Sequence, residues 1–302
     1  MTASRTATAT PLDPGAGLTE RIIRLGDGRR IRTIVAGRGP GPLVVFEAGM
    51  SAPAAEWLAV QRAVSAHART LSYDRSGYGG SDDDPQPRTL ARMAGDLGAV
   101  LDAVGEKGPV VLVGHSWGGP IIRAFVHDHP DRVAGIVLVD ASLAGSSATR
   151  TQTTLGAASF RVTGLLVRLG LGAKVIRQVL PHGFAPEFSE EDAAIATRDY
   201  ASVRAMRTGV REMKEVMGDK LALEEWEREG LPDVPVVALQ GGRVENSAAA
   251  RRFRDDFNQE AARVLAGHPR ATVRTVPNAG HLIPQERPSA VTAAITEVLA
   301  AG

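Results

Sequence analysis

The stretch Val110-Val111-Leu112-Val113-Gly114-His115-Ser116-Trp117-Gly118-Gly119, running on into Pro120 to Val126, decides how the chain folds. Four consecutive apolar residues suit a strand covered on both faces, and the apolar run after Gly119 suits a helix packed on the same sheet. Between them a serine is held in a turn only a few residues long. The residues two before and two after it must pass close together, and Gly114 and Gly118 lack the Cβ atoms that would collide. A strand, a sharp turn and a helix in this order lift a serine hydroxyl above the carboxyl edge of a sheet. They also set the Trp117 amide at a helix start, where an anionic oxygen is favoured.

Working outward, Leu43 to Phe46, Thr70 to Tyr73, Gly135 to Val139, Val236 to Leu239 and Val273 to Val276 are further apolar runs of strand length. Upstream, Arg21 to Leu25 and Arg30 to Ala36 are joined through Gly26-Asp27-Gly28, a composition suited to a hairpin. Eight strands are thus expected, with an antiparallel start and a parallel remainder. Between strands, Leu90, Met93, Leu97, Val100, Leu101 and Val104 recur at helical spacing and Gly105 supplies a stop. This alternation predicts an α/β sheet with right-handed crossovers. It breaks across 142–230, where helical patterns appear without strands. Ser189 with Asp192 marks a helix start, and Val162 to Leu180 forms a helix interrupted near Gly170 and Gly172. The expected division is a disordered tail over 1–18, a core of 19–141 and 231–302, and an inserted helical cap over 142–230.

Lys and Arg total 35 against 34 Asp and Glu, a formal charge of +1, and no five-residue run of one sign occurs. Nucleic acid and acidic membrane surfaces are therefore not expected partners. The chain has no cysteine, which removes disulfides, thiolate metal sites and a cysteine nucleophile together. No apolar stretch reaches the roughly 18 residues of a membrane-spanning helix, and Met1 to Leu18 lacks the apolar run of a signal peptide. A cytoplasmic protein is expected. No metal-ligand spacing and no phosphate-binding glycine loop is present, so neither metal nor cofactor is expected.

With these segments in view the chain resembles the α/β-hydrolase family over about residues 20–141 and 231–300. Phe46-Glu47-Ala48-Gly49-Met50 resembles the family's oxyanion loop after the third strand. Ser72-Tyr73-Asp74-Arg75-Ser76-Gly77-Tyr78-Gly79-Gly80-Ser81 resembles its turn after the fourth, and Asn278-Ala279-Gly280-His281 the loop that carries its histidine. Two departures stand out. The family's common His-Gly pair is Ala48-Gly49 here, and Ser116 occupies the place where dehalogenases and epoxide hydrolases of this fold use aspartate. The resemblance implies an oxyanion hole from the Met50 and Trp117 amides, since backbone N–H groups suffice for that role.

A serine hydroxyl needs an adjacent imidazole to take its proton, and that imidazole needs a third group to orient it. Of seven histidines, His281 alone follows the last strand on a glycine-containing loop at the carboxyl edge. His115 is the variable residue of the turn and is expected to point away from the Ser116 hydroxyl. For the acid, the family most often uses a position after the seventh strand, but Leu239-Gln240-Gly241-Gly242-Arg243-Val244-Glu245 carries Val244 there. Asp140, closing Ile136-Val137-Leu138-Val139, matches a known variant that places the acid after the sixth strand. Asp140 is the first choice and Glu245 the alternative. Asp74 and Arg75 are read as a structural pair holding their own turn.

The expected function is hydrolysis of a small or medium carboxylic ester or lactone through a Ser116 acyl-enzyme. Alcohol leaving groups ask least of a general acid. A slow-turnover ligand receptor, a lyase, a carbon–carbon hydrolase and an acyltransferase stay open as alternatives on the same residues.

Overall fold

A computed structural model describes residues 17–142, 149–180, 183–243 and 247–302. The chain opens with β1 (Thr19–Arg24), β2 (Arg30–Ala36) and β3 (Val44–Glu47), then α1 (Leu58–Val64), β4 (Thr70–Tyr73) and α2 (Leu90–Ala103). Next come β5 (Val110–His115), α3 (Gly118–Asp128) and β6 (Val133–Val139). Five helices follow: α4 (Arg150–Arg168), α5 (Gly172–Val179), α6 (Glu190–Tyr200), α7 (Val203–Glu215) and α8 (Lys220–Glu229). The chain closes through β7 (Val236–Gly242), α9 (Ala248–Leu265), β8 (Ala271–Pro277), α10 (Ile283–Glu286) and α11 (Pro288–Ala301).

The strands form one sheet in the order β1-β2-β4-β3-β5-β6-β7-β8. β1 runs antiparallel to β2 and β2 to β4, while every later pairing is parallel. The continuous apolar runs have a direct cause. Val110 and Leu112 of β5, Ile136 and Leu138 of β6, and Val236 and Ala238 of β7 face a layer that includes α2, α3 and α9. The alternate residues Val111, Val113, Val137, Val139, Val237 and Leu239 face α1 and α11. A strand buried on both faces favours apolar side chains at nearly every position.

β8 departs from that expectation. It is an edge strand, mostly exposed, and Val273 retains 37% of its surface. Its apolar run is sheltered on one side only. The tail expected over 1–18 falls outside the described residues except for Gly17 and Leu18.

Between β6 and β7 the described residues hold helices and no strand. The break expected near Gly170 lies between α4 and α5, with Gly170 at φ +80°. α4 begins twelve residues before the expected Val162. Thr149 accepts from the Gln152 amide while the Gln152 side chain accepts from the Thr149 amide, a reciprocal start that the Thr-x-x-Gln spacing encodes.

Candidate active site

Ser116 sits between β5 and α3 at φ +51°, a left-handed conformation that costs a non-glycine residue energy unless its surroundings hold it. Its N–H donates to the Val139 carbonyl at 3.1 Å, and its own carbonyl accepts from Gly119 and Ser142 at 3.1 and 3.2 Å. The flanking glycines are required by contact. A Cβ on Gly114 would lie 2.9 Å from the Gly118 carbonyl group, and one on Gly118 would lie 2.3 Å from the Glu47 carbonyl oxygen. The second glycine is thus demanded by the end of β3 as well as by the turn.

The hydroxyl so presented meets His281. Ser116 Oγ is 2.9 Å from His281 Nε2, and His281 Nδ1 is 2.7 Å from Asp140 Oδ2. Asp140 lies at the end of β6, fully buried, at φ +42°. His281 follows β8 through Asn278 at φ +59°, and its loop is fastened to α10 where Gly280 N–H donates to Glu286 at 2.7 Å. Arg243 also pairs with that Glu286 carboxylate. The three residues therefore come from three different strand ends. Because a carboxylate only accepts, Nδ1 donates to Asp140 and the Nε2 lone pair faces the serine hydroxyl.

Asp140 has a partner that sequence reading missed. Arg254 of α9 donates through Nη1 to both carboxylate oxygens, at 2.7 and 2.8 Å, and the Gly241 amide donates to Oδ1 at 2.8 Å. Burial alone would push the Asp140 carboxyl up. The hydrogen bonds and charges of His281 and Arg254 outweigh it and hold the group below its ordinary value. The alternative acid, Glu245, lies outside the described residues.

His115 points away from the serine hydroxyl, into a buried setting. Its Nε2 is 2.9 Å from the His281 carbonyl oxygen and its Nδ1 is 3.1 Å from Glu56 Oε2. Burial disfavours the imidazolium, yet the Glu56 charge and the two acceptors raise its pKa above the ordinary histidine value. Glu56 is itself a junction. It also accepts from the Gly49 amide at 3.0 Å and the Tyr200 hydroxyl at 2.8 Å, linking the loop after β3 to α6.

Asp74 and Arg75 are not paired with each other, contrary to the sequence expectation. Asp74 does hold its turn, accepting from the Gly80 amide at 2.9 Å, and it also accepts from Ala54 N–H at 2.7 Å and Arg32 at 3.0 Å. Arg75 reaches the other way. Its guanidinium donates to the Ala48 and Gly49 carbonyls at 2.6 and 2.8 Å, to Glu47 at 2.7 Å and to Glu212 of α7 at 3.1 Å. A planar fork can serve these acceptors together, and a neighbouring aspartate would have competed for it. In a trans peptide the carbonyl and the next N–H point in opposite directions. Arg75 on the Gly49 carbonyl therefore turns the Met50 N–H away from itself. Met50, Trp117, Ser116 and His281 all line one cavity of about 780 Å³.

The rest of that cavity comes largely from the helices between β6 and β7. Phe160 and Val167 of α4, Met206 and Met213 of α7, Val216, and Leu223 of α8 make its wall predominantly apolar. An apolar chamber with a few convergent polar atoms is the usual form of a small-molecule site.

A doubly flanked, mostly parallel sheet with a serine in the turn after β5 and a histidine and an aspartate converging on it defines an α/β protein whose polar side chains gather at the carboxyl edge of the sheet. Residues 44–295 match the alpha/beta hydrolase family as a whole. The chain belongs to that family. Among curated proteins it is 41% identical over 108 residues to the probable transporter efuK of Hormonema carpetanum, a match covering 34% of this chain and 16% of that one. It is 34% identical over 102 residues to the putative carbamate hydrolase RutD of Azorhizobium caulinodans, covering 34% of this chain and 38% of that one. The matched segment is thus well under half the length of either relative. Among solved structures, epoxide hydrolase VrEH1 from Vigna radiata superposes with a TM-score of 0.73 at 19% identity, covering 93% of this chain and 97% of that one. At that identity the likeness concerns the fold.

Proposed function

We propose that the chain is a serine hydrolase that cleaves a carboxylic ester or lactone through an acyl-enzyme on Ser116. The observation that carries this reading is the unbroken chain from Ser116 Oγ through His281 to Asp140, with contacts of 2.9 and 2.7 Å. Oγ attacks the substrate carbonyl carbon as His281 Nε2 takes its proton, and the carbonyl π pair moves onto oxygen. Asp140 holds the ring and balances the imidazolium that forms. The Met50 and Trp117 amides hold the oxyanion. As it collapses, His281 returns the proton to the departing alcohol and Ser116 keeps the acyl group. Water, deprotonated by His281, then attacks that acyl carbon and releases acid and free serine.

Serine at the turn supports acyl transfer over the epoxide opening named for the structural neighbour, because that chemistry on this fold uses a carboxylate nucleophile. The carbamate hydrolase relative supports attack at an acyl carbon. The apolar wall supports a neutral, largely hydrocarbon acyl or alcohol portion. The test is multiple turnover on a panel of aryl esters, lactones and aryl carbamates at fixed enzyme concentration. Ester or lactone hydrolysis over many turnovers supports the proposal. Turnover confined to carbamates would move the substrate class, and a single stoichiometric burst with no steady state would favour a receptor-like role.

A further inference from the structure

α4 has two different faces. Phe160, Thr163 and Val167 line the cavity that holds Ser116, whereas Leu155, Val162 and Leu165 at its outer side, and Leu169 just past its end, remain 64%, 58%, 56% and 65% exposed. At 100° per residue the outer four fall within an arc of about 80°, so they form one stripe. They are half of the eight large apolar side chains that stand exposed among the described residues. A single exposed apolar side chain means little, but three along one helix with a fourth just past its end make the sort of patch that marks an interaction surface.

Charge along α4 itself is one-sided. From Ala141 to Pro186 the sequence contains no Asp or Glu, while Arg150, Arg161, Arg168, Lys174 and Arg177 all fall within it, in a chain whose formal charge is +1. At the same helical period Arg150, Arg161 and Arg168 lie within about 20° of one another, on one flank of the stripe. Arg161 and Arg168 border a groove of about 350 Å³ between α4 and α7, where Leu165, Val203 and Val210 supply apolar surface and Arg207 a third guanidinium. Arg207 also bonds Asp83 at 3.2 Å.

We propose that the outer face of α4, with the groove beside α7, docks the protein on an anionic lipid bilayer. An apolar stripe flanked by arginines is the arrangement with which a helix lies at a membrane interface, its side chains among the acyl chains and its guanidinium groups among the phosphates. Charge complementarity selects this occupant. A second copy presenting the same face would bring three arginines of α4 against three more, with no carboxylate on α4 or α5 to offset them. The absence of a linear run of one sign pointed away from acidic membranes, but these cations are spaced along the chain and only helical winding gathers them.

The surface is also continuous with the proposed active site. Phe160 and Met206 line both the cavity around Ser116 and the outer groove, so a single layer of two side chains separates them. On the serine-hydrolase reading, a lipid-dissolved ester would meet this protein on a face that only those two side chains part from its active-site cavity. Docking itself does not depend on that reading.

The test is flotation of the Ser116→Ala protein and the wild type with vesicles of phosphatidylcholine alone or phosphatidylcholine with 30 mol% phosphatidylglycerol. Both proteins should float with the anionic vesicles and stay behind with the neutral ones. Raising salt should weaken the binding, and Arg161→Gln and Arg168→Gln should each lower the partition coefficient by about fivefold. The quadruple variant Leu155→Gln, Val162→Gln, Leu165→Gln, Leu169→Gln should lose flotation while keeping its melting temperature and its rate on a water-soluble aryl ester. If that quadruple variant is unfolded, the arginine variants decide. No flotation of wild type, or flotation indifferent to these substitutions, overturns the proposal. So does a wild-type dimer in light scattering that the stripe variants dissolve, which would give the face to a second copy. If vesicles bind but Ser116→Ala retains full ester turnover, docking stands and the serine mechanism falls.

Discussion

Replacing Asp140 with Asn should invert the histidine rather than merely weaken it, and the reason lies in Arg254. Asp140 accepts from the Gly241 amide at 2.8 Å and from Arg254 at 2.7 and 2.8 Å, in addition to His281 at 2.7 Å. In the Asn side chain only one atom accepts, and two fixed donors claim it. The amide NH2 is then left facing His281 Nδ1, which must accept, so the proton moves to Nε2 and points at the serine oxygen. The base is lost, and so is the charge that balances the imidazolium. A wrong-tautomer histidine costs about 10⁴ in turnover, equivalent to about 5 kcal/mol of transition-state stabilisation. The assay is steady-state hydrolysis of an aryl ester, normalised by titration with a fluorophosphonate, with the melting temperature measured in parallel. Adding Arg254→Met frees the amide to turn over, and the double variant should recover at least about tenfold relative to Asp140→Asn alone. Glu245→Gln should stay within about tenfold of wild type. A folded Asp140→Asn protein within tenfold of wild type, or a double variant no better than the single, would refute the reasoning.

Two further outcomes follow from buried groups outside this chain of hydrogen bonds. Arg75→Lys keeps a charge but cannot span two carboxylates and two carbonyls, so the Gly49–Met50 peptide loosens. Here kcat should fall by about ten- to a hundredfold with KM nearly unchanged, and a larger effect on KM than on kcat would deny the proposed oxyanion role of the Met50 amide that Arg75 stands behind. Asp219, held up at about 6 mainly by burial, accepts from the Leu90 amide at 3.1 Å, and that bond only partly offsets the cost of its charge. Its raised value means the folded state prefers the proton, so the penalty is present above pH 6 and disappears as pH falls toward its unfolded value of 3.8. Asp219→Asn should stabilise by about 1 kcal/mol at pH 8, allowing for partial exposure, and by nothing at pH 4. Urea unfolding at both pH values checks this, and a variant less stable than wild type at pH 8 would contradict it.

The parts of the site that sequence made legible are those fixed by local covalent constraint. Gly114 and Gly118 announce the turn because no side chain fits there, and Asp140 announces itself by closing an apolar strand at the edge where chemistry collects. Arg254 could not be read because its contact with Asp140 spans 114 residues of chain and depends on how α9 packs. The Arg75 contact with Glu212 spans 137. Pairing Arg75 with its neighbour Asp74 was the natural local reading, and the tertiary fold sent the two side chains to opposite tasks. The start of α4 is a different case, since Thr149 and Gln152 spell out a capping pair that the weaker apolar period near Val162 obscured. The sheet likewise kept one surprise, because a short apolar run such as Val273 to Val276 does not reveal whether its strand lies at the edge.

The central claim is that Ser116 carries the acyl group, and rapid quenching of a turnover reaction followed by intact-mass and peptide mass spectrometry tests it most directly. With an aryl ester the wild type should gain one acyl mass, located on the peptide containing Ser116, and Ser116→Ala should gain none and lose at least about 10³ in kcat. An acyl group on another residue, or a Ser116→Ala protein retaining more than about a tenth of wild-type turnover, would contradict the mechanism.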